Sequence, residues 1–347
     1  MVVIHGKNFN YIRYRPAYMK KLLPSYANKL LCLIDTTKPD PLFSLVDYRN
    51  NYFTSDDPNK IIEFYNGFEN RDQLIQWMKE RPKGVAAIHE VEGDKEIIVV
   101  IPTADFNGQY ARECRENIFK GLQIIFVESG GRWDFYFNFS HNVNVGIKKA
   151  MEYNPKWIVV SNDDMYKIDD VDVLTNELKN INNEEVDIVY TPPSVLHCSP
   201  ERVAKRNILF TPYYFITNKN YGRITLNLIK KFKTNYFCCR LDWKCTKILK
   251  KGYEYIEINT FFVISPNWIR STNDDLFDEI YINHYLDLDL SIRLSINKHR
   301  ARFIGYKIGD YISSTLGINK ARDMRNFSGI VYFNFKMETI LDNITKR

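Results

Sequence analysis

Residues 156–165 read Lys-Trp-Ile-Val-Val-Ser-Asn-Asp-Asp-Met, a short apolar run that ends on two adjacent acids. An uninterrupted apolar run of this length predicts a strand that is buried on both faces of a sheet. Asp163 and Asp164 then stand at the carboxyl end of the strand, where open α/β sheets bind their ligands. A solvated turn is the alternative explanation for two such acids, so the neighbouring sequence has to distinguish a site from a turn.

The sequence before this run alternates between strand and helix patterns. Strands are predicted at residues 97–101 and 124–127, and helices at residues 108–120 and 141–152. Ser140 is the predicted N-cap of the second helix. Strands at this spacing pair in parallel through right-handed crossovers. The strand ends near Thr103, Glu128 and Asp164 are therefore expected at one edge of a sheet, which favours a site.

Further strands are predicted at residues 186–190 and 260–265, and a helix at residues 286–294. The whole pattern predicts an α/β fold with a mixed, mostly parallel central sheet flanked by helices. Residues 1–90 precede the regular alternation, and we interpret them as a small N-terminal α/β appendage to which the sequence assigns no role. Residues 91–347 are then the main domain.

Composition limits the classes of protein that the chain can belong to. It has 347 residues, of which 45% are hydrophobic, enough for a sizeable core. No apolar stretch is long enough for a membrane span, and the apolar part of the N-terminus is too short for a signal peptide. The sequence therefore predicts a cytoplasmic protein, in which its six cysteines are reduced.

The positive charge of the chain is concentrated in one segment. The net charge is +6, yet residues 226–251 alone contain eight basic residues against the single acid Asp242. Aromatic side chains, among them Phe232 and Trp243, are interleaved with the charges. We interpret this segment as a peripheral contact with the anionic inner face of a membrane, with a solvated basic face as the alternative. No nucleic-acid motif accompanies it, so nucleic acid is not an expected partner.

The residues at the strand ends suit a nucleotide that carries a diphosphate. Glu128 is placed to accept hydrogen bonds from a ribose or a base, and the backbone after Pro102 to hold the base. On an extended backbone, Asn162 and Asp164 point to one side and Asp163 to the other. Their hard oxygen ligands predict Mn²⁺ or Mg²⁺, which would stabilise the charge on a leaving diphosphate.

Two acids in the predicted helix at residues 286–294 need different explanations. Asp287 and Asp289 are two residues apart and cannot share a helix face. Asp289 stands four residues before Arg293, which predicts an ion pair within the helix. Asp287 is then the acid that faces the cleft, where it can take a proton from an attacking hydroxyl. A helix-capping role for Asp287 is the alternative.

Taken together, these residues resemble the family-2 glycosyltransferases, which have the GT-A fold. The resemblance covers roughly residues 96–340 and is carried by the order and spacing of short motifs rather than by any one of them. The motifs are Pro102-Thr103, Val127-Glu128-Ser129-Gly130-Gly131, Phe137-Asn138-Phe139-Ser140, Asn144-Val145-Gly146-Ile147 with Ala150, Asn162-Asp163-Asp164, Leu276-Phe277-Asp278-Glu279 and Leu286-Asp287-Leu288-Asp289-Leu290-Ser291-Ile292-Arg293.

The resemblance implies an inverting transfer of a sugar from a nucleoside-diphosphate donor to a hydroxyl of a glycan or lipid-linked acceptor. It places the donor half at about residues 96–195 and the acceptor half at about 196–347. It implies Asn162 and Asp164 as metal ligands, Asp278 and Glu279 on the acceptor side, and Asp287 as the general base. The residues that it implies for the nucleotide sugar are Pro102, Thr103, Asp105, Glu128, Asn144 and Asp163.

This sequence departs from the family pattern at three positions. Glu128 replaces an aspartate, Leu286 replaces the glutamate before the general base, and Asp275 stands where a glycine often precedes the Phe-Asp-Glu element.

Two other functions stay open. A sugar-phosphate nucleotidyltransferase needs a glycine-rich loop after the first strand, and residues 103–108 contain one glycine. A non-catalytic nucleotide-sugar-binding or scaffold protein is the other alternative.

Overall fold

A computed structural model describes residues 45–129, 136–191, 227–234, 258, 260–272, 275–311 and 320–345. The described residues from Arg49 onward belong to one compact unit. The helices are α1 (Leu45–Phe53), α2 (Pro58–Asn66), α3 (Arg71–Glu80), α4 (Gln109–Glu113), α5 (Phe139–Met151), α6 (Val171–Lys179), α7 (Pro266–Thr272), α8 (Leu286–Ile296) and α9 (Lys320–Thr345). The strands are β1 (Ala87–Val91), β2 (Asp94–Thr103), β3 (Leu122–Glu128), β4 (Trp157–Ser161), β5 (Met165–Lys167), β6 (Ile188–Tyr190), β7 (Phe261–Ile264), β8 (Ala301–Phe303) and β9 (Ile308–Asp310).

Seven of these strands form the central sheet, in the order β1-β3-β2-β4-β7-β6-β8. β3, β2 and β4 are parallel neighbours, as the alternating pattern predicts, and β6 is parallel to β8. β1 and β7 run against their neighbours. Five of the seven strands therefore share one direction, and the prediction of a mixed α/β sheet flanked by helices is confirmed. β5 and β9 form a separate antiparallel pair.

Both faces of the sheet are covered, since residues 97–101 of β2, 124–127 of β3 and 157–160 of β4 are all apolar and buried. Ile98 and Val100 of β2 face the core that contains α5, α8 and α9. Val99 and Ile101 face the core that contains α4 and α6. Gly146 brings α5 close to the sheet, because a Cβ there would lie 2.4 Å from Val100 Cγ1. This close packing fixes the start of α5 beside the ends of β2 and β3.

Two helix predictions need correction. The N-cap of α5 is Asn138 and not Ser140, since the Asn138 side chain accepts a hydrogen bond from the backbone N–H of His141 at 2.9 Å. The helix predicted over residues 108–120 changes character after Glu113, and residues 114–118 form a π-helical turn. The wider turn buries both Cys114 and Phe119, whose backbone N–H donates to the Cys114 carbonyl at 2.8 Å.

The described part of the predicted N-terminal appendage packs against α9. Tyr65 of α2 is fully buried, and its hydroxyl donates to the Met324 carbonyl at 2.7 Å and accepts from the Ser328 N–H at 3.0 Å. Residues 1–44 lie outside the described residues, so the division of the chain at residue 90 stays a prediction.

Two described residues of the basic segment 226–251 contact the interior, and the peripheral membrane contact expected of the segment stays a prediction. Lys231 Nζ donates to the last carbonyls of α2, at 3.2 Å from Tyr65 O and 3.0 Å from Asn66 O. Phe232 is fully buried between the rings of Tyr65 and Phe327. Residues 235–251 lie outside the described residues. Among the helices that the structure describes, none combines the length and hydrophobicity that a membrane crossing requires.

Candidate functional site

The carboxyl ends of β2, β3 and β4 meet at one edge of the sheet, as predicted. Thr103 and Glu128, the last residues of β2 and β3, are register partners. The Thr103 hydroxyl donates to Asp163 Oδ2 at 2.8 Å and so joins β2 to the segment that follows β4. We call this edge the strand-end rim and define it by Thr103, Glu128 and residues 162–164.

The backbone of residues 162–164 differs from the prediction. β4 ends at Ser161, and the next three residues form a bend and not a continued strand. The alternation of side chains along an extended backbone therefore does not apply to Asn162 and Asp164. Both acids are nevertheless interior groups, since Asp163 is 5% exposed and Asp164 is 4% exposed. The Asp164 carbonyl accepts a hydrogen bond from the Tyr311 N–H at 2.8 Å, which holds the bend from the other side.

The acids of this bend affect the pKa of the buried thiol of Cys114. Its thiol is buried and donates to the Asp163 carbonyl at 3.3 Å. Burial raises the pKa of Cys114 well above its ordinary value, and the negative charges of Asp163, Glu113 and Asp164 raise the pKa further. The acids of the bend therefore produce a negative electrostatic potential at the Cys114 thiol. The sequence analysis missed Cys114 as a neighbour of the acids, because the π-helical turn that brings it there leaves no periodic signal.

Glu128 has an unexpected partner on the edge strand of the sheet. His89 Nε2 of β1 lies 2.6 Å from Glu128 Oε2, and the Glu128 side chain is 30% exposed. The His89 ring stacks on Phe106 of the loop after β2, with the ring centroids 4.4 Å apart. The Arg115 guanidinium lies 4.9 Å from the same Phe106 ring. His89 could not be found from the sequence, because the antiparallel pairing of β1 with β3 was not predicted.

The loop after β2 is shaped by its own side chains. Pro102 is buried within the sheet, whereas Asp105 is exposed. Asp105 Oδ1 accepts a hydrogen bond from the Asn107 N–H at 2.9 Å, and the Asp105 carbonyl accepts from the Gly108 N–H at 3.1 Å. These bonds form a compact turn beside the rim. The described contacts of Asp105 thus shape the loop, and binding of a nucleotide sugar by Asp105 stays a prediction.

Asn144, which is predicted to bind the nucleotide sugar, makes internal hydrogen bonds in the structure. Its side-chain Nδ2 donates to Phe277 O at 2.8 Å and to Glu279 Oε1 at 3.1 Å, and its Oδ1 accepts from the Phe277 N–H at 3.1 Å. Asn144 is also 2% exposed, so these internal bonds use its amide. The residue fastens the predicted acceptor-side segment to α5.

Three side chains contact Glu279, which lies in this acceptor-side segment. Besides Asn144, His141 Nδ1 lies 3.1 Å from Glu279 Oε1, and Lys83 Nζ lies 3.3 Å from Glu279 Oε2. Burial raises the pKa of Glu279, but the hydrogen bonds from Asn144 and His141 and the positive charges outweigh burial and lower the pKa. Glu279 is thus kept ionised at a fixed position.

Asp278 and Asp289 share one lysine. Lys336 Nζ of α9 lies 2.8 Å from Asp278 Oδ2 and 3.0 Å from the Asp289 carboxylate. Arg293 Nε donates to Asp289 at 2.8 Å, the ion pair that the sequence predicts, and the Tyr332 hydroxyl donates to Asp278 at 2.8 Å. We call these five residues the α8–α9 clamp. It fixes the start of α8 against α9.

Asp287 lies in the first turn of α8 and is half-buried. The residue before the helix, Tyr285, has the left-handed φ of 69°, a conformation that costs free energy in a residue with a side chain. The clamp and a close approach of α9 hold this conformation, since a Cβ on Gly329 would lie 2.7 Å from His284 O. The structure thus fixes the segment that carries Asp278, Glu279 and Asp287, while the acid–base role of Asp287 stays a prediction.

The rim acids fit a divalent ion that arrives with its ligand. Within the described residues, no group of three or more histidine, cysteine, aspartate or glutamate side chains is arranged to hold a metal. Mg²⁺ is commonly bound by one or two carboxylates together with the phosphate oxygens of a substrate, and Asp163 and Asp164 provide two.

The sequence matches no protein-family model and none of the curated proteins. Inferences about function therefore rest on the geometry of the strand-end rim.

Proposed function

We propose that this protein is an inverting glycosyltransferase of the family-2 type with a GT-A fold, which uses Mn²⁺ or Mg²⁺. The observation that carries the proposal is the pair of carboxylates of Asp163 and Asp164, both about 95% buried where three parallel strands end. Buried adjacent acids of like charge are costly, and such groups are typical of sites that bind a cation. The family resemblance names the reaction.

The strand-end rim binds the nucleoside-diphosphate sugar in this proposal. Glu128, oriented by His89, accepts hydrogen bonds from the ribose or base, next to the loop after Pro102. In place of the expected pair Asn162 and Asp164, the adjacent Asp163 and Asp164 hold the divalent ion, because the chain bends after β4 and both acids are buried. Thr103 keeps Asp163 in place. When bound, the ion stabilises the negative charge that develops on the diphosphate oxygen.

The segment fixed by the α8–α9 clamp serves the acceptor. The hydroxyl oxygen of a glycan or lipid-linked acceptor attacks the anomeric carbon of the sugar, and its proton passes to the Asp287 carboxylate. The bond between that carbon and the diphosphate oxygen breaks, and its electron pair leaves with the diphosphate. Asp278 and Glu279 position the acceptor segment through the clamp and through Asn144. Attack from the face opposite the diphosphate inverts the anomeric configuration.

Thermal stabilisation by nucleotide sugars tests the donor site. UDP-, GDP- and dTDP-sugars are added to the full chain with and without Mn²⁺. We expect one nucleotide class to raise the melting temperature only with Mn²⁺, and we expect this shift to be lost in Asp164→Asn. The matched control is Asp172→Asn, which changes an exposed aspartate of α6 and should keep the shift. Absence of a shift with every donor would contradict the proposal.

Turnover separates the proposed reaction from its alternatives. An active transferase releases nucleoside diphosphate, and Asp287→Asn should keep the thermal shift while lowering kcat by roughly 100-fold or more. Metal-dependent binding without turnover over a panel of acceptors would favour the nucleotide-sugar-binding or scaffold protein. Release of pyrophosphate from a nucleoside triphosphate and a sugar phosphate would identify a nucleotidyltransferase.

A further inference from the structure

A second cleft lies between the N-terminal helices, the segment before α8, and the first turns of α9. Its volume is about 650 Å³, including the part that is open to solvent. The lining residues are Phe53, Thr54, Arg81, Phe137, Ile282, Asn283, His284, Arg322, Arg325, Asn326, Ser328 and Gly329. None of them belongs to the strand-end rim.

The charge of the lining is one-sided. Arg81, Arg322 and Arg325 come from two separate parts of the chain, and His284 adds a fourth nitrogen-bearing side chain. The described lining contains no aspartate and no glutamate. The fork of N–H donors of a guanidinium group matches the oxygens of a phosphate or carboxylate.

Two of the arginines are held in place by bonds to neighbouring groups. Arg81 is 4% exposed, and its Nε donates to Asn50 Oδ1 at 2.6 Å while its Nη1 donates to Phe137 O at 2.9 Å. Arg325 Nη1 donates to Ser55 O at 2.8 Å. These bonds fix the positions of the two side chains before any ligand arrives. A fixed set of donors loses little conformational freedom on binding, which favours affinity.

The remaining lining residues suit an organic group beside the anion. Phe53, Phe137 and Ile282 provide apolar surface. Asn283 and Asn326 offer amide groups. Such a combination of apolar walls and a few convergent polar groups is typical of sites that bind a small organic ligand in one orientation.

We propose that this arginine cleft, defined by the lining residues above, is a binding site for a small organic phosphate. The phosphate group binds to the guanidinium groups of Arg322, Arg325 and Arg81, and the organic part contacts Phe53 and Phe137. The site is separate from the strand-end rim, and the proposal does not depend on glycosyl transfer. Binding of phosphate here requires neither a divalent ion nor the rim acids.

Calorimetric titration of the full chain tests the site with phenyl phosphate as the probe, in buffer with EDTA and constant ionic strength. The variants are Arg322→Gln, Arg322→Lys and Arg302→Gln. Arg302 is exposed on β8 and serves as the matched control, because its replacement removes the same charge outside the cleft. Asp164→Asn is titrated in parallel, and a melting curve of each variant establishes that it is folded.

We expect saturable binding that is weakened about tenfold or more by Arg322→Gln, the effect of losing one charge-assisted hydrogen bond. Arg322→Lys should recover part of the affinity, whereas Arg302→Gln and Asp164→Asn should bind like the wild type. Weaker binding of inorganic phosphate than of phenyl phosphate would support the contact with the aromatic wall. Absence of saturable binding, or equal affinity of Arg322→Gln and Arg302→Gln, would overturn the proposal.

Discussion

The strand-end rim contains two buried acids, and the α8–α9 clamp contains one buried and one partly buried acid, but their surroundings differ. In the clamp, Asp278 and Asp289 share the charge of Lys336, and Asp289 also contacts Arg293. At the rim, the hydroxyl of Thr103 is one of the groups that contact Asp163. The two regions thus place the same residue type beside different chemical groups.

The pKa values of neighbouring residues show the consequence of this difference. In the clamp, burial raises the pKa of Asp278, but the charge of Lys336 and hydrogen bonds from Lys336 and Tyr332 outweigh burial and lower the pKa. At the rim, Asp163 and Asp164 add to the burial that raises the pKa of Cys114. The acids of the clamp therefore stabilise the fold, whereas those of the rim lie near a buried thiol whose pKa they help to raise. We infer that the clamp is a structural element and the rim a binding site.

The largest expected effect is the loss of the lysine of the clamp. Lys336→Met keeps the length of the side chain but leaves Asp278 and the fully buried Asp289 without their shared cation. Breaking a buried ion pair by removal of one partner costs about 3 kcal/mol. We expect the free energy of unfolding to fall by about this amount in urea denaturation at pH 7, and we expect metal-dependent ligand binding by the remaining folded protein to persist.

The matched control for this variant is Lys156→Met. Lys156 pairs with Glu96 at 3.0 Å, but more than half of each side chain is exposed. Exposed ion pairs contribute little to stability, so this change should leave the free energy of unfolding nearly unaltered. Equal effects of the two variants would contradict the structural role of the clamp.

Acid should weaken the clamp in a defined direction. Because the pKa of Asp278 is lower in the folded protein than the value of about 3.9 in an unfolded chain, its ionised form contributes stability above that value. This contribution is lost as the pH falls through the folded pKa. The difference in unfolding free energy between wild type and Asp278→Asn should therefore be larger at pH 7 than at pH 3, as measured by urea denaturation. A difference that is constant with pH would contradict the assignment.

The sequence predicted the features that depend on local pattern. The apolar runs that became β2, β3 and β4 were identified, as was the meeting of their ends, because continuous burial and βαβ spacing leave a direct signal. The Asp289–Arg293 ion pair was predicted because it lies within one helical turn. The resemblance to a glycosyltransferase was available from the order of the motifs.

The features that depend on distant parts of the chain were missed. Lys336 lies 58 residues after Asp278, and His89 lies 39 residues before Glu128, so neither contact has a sequence signature. The bonds from Asn144 to Phe277 and Glu279, 133 and 135 residues further along the chain, likewise have no sequence signature. Phe232 was placed on a membrane surface because its basic neighbours hid its burial in the core. Tertiary packing decided each of these cases.

The smallest effect on stability, and the sharpest test of the comparison, is expected at the rim. Thr103→Val preserves the shape of the side chain and removes the hydroxyl that donates to Asp163. The loss of one hydrogen bond to a buried acid costs about 1–2 kcal/mol, less than the loss of Lys336. Its effect on ligand binding should be larger than that of Lys336→Met, because Asp163 loses the bond that holds its carboxylate. Urea denaturation and the Mn²⁺-dependent thermal shift measure the two effects.

Thr175→Val is the matched control for this last variant. The Thr175 hydroxyl donates to the Asp172 carbonyl at 3.0 Å within the exposed part of α6, so the same chemical change is made away from the rim. It should alter neither the unfolding free energy by more than about 0.5 kcal/mol nor the thermal shift. If Lys336→Met mainly lowers stability and Thr103→Val mainly lowers binding, the two acid pairs have separate roles. If both variants lower stability and binding in the same proportion, the rim acids belong to the structural framework and the division between binding site and clamp is wrong.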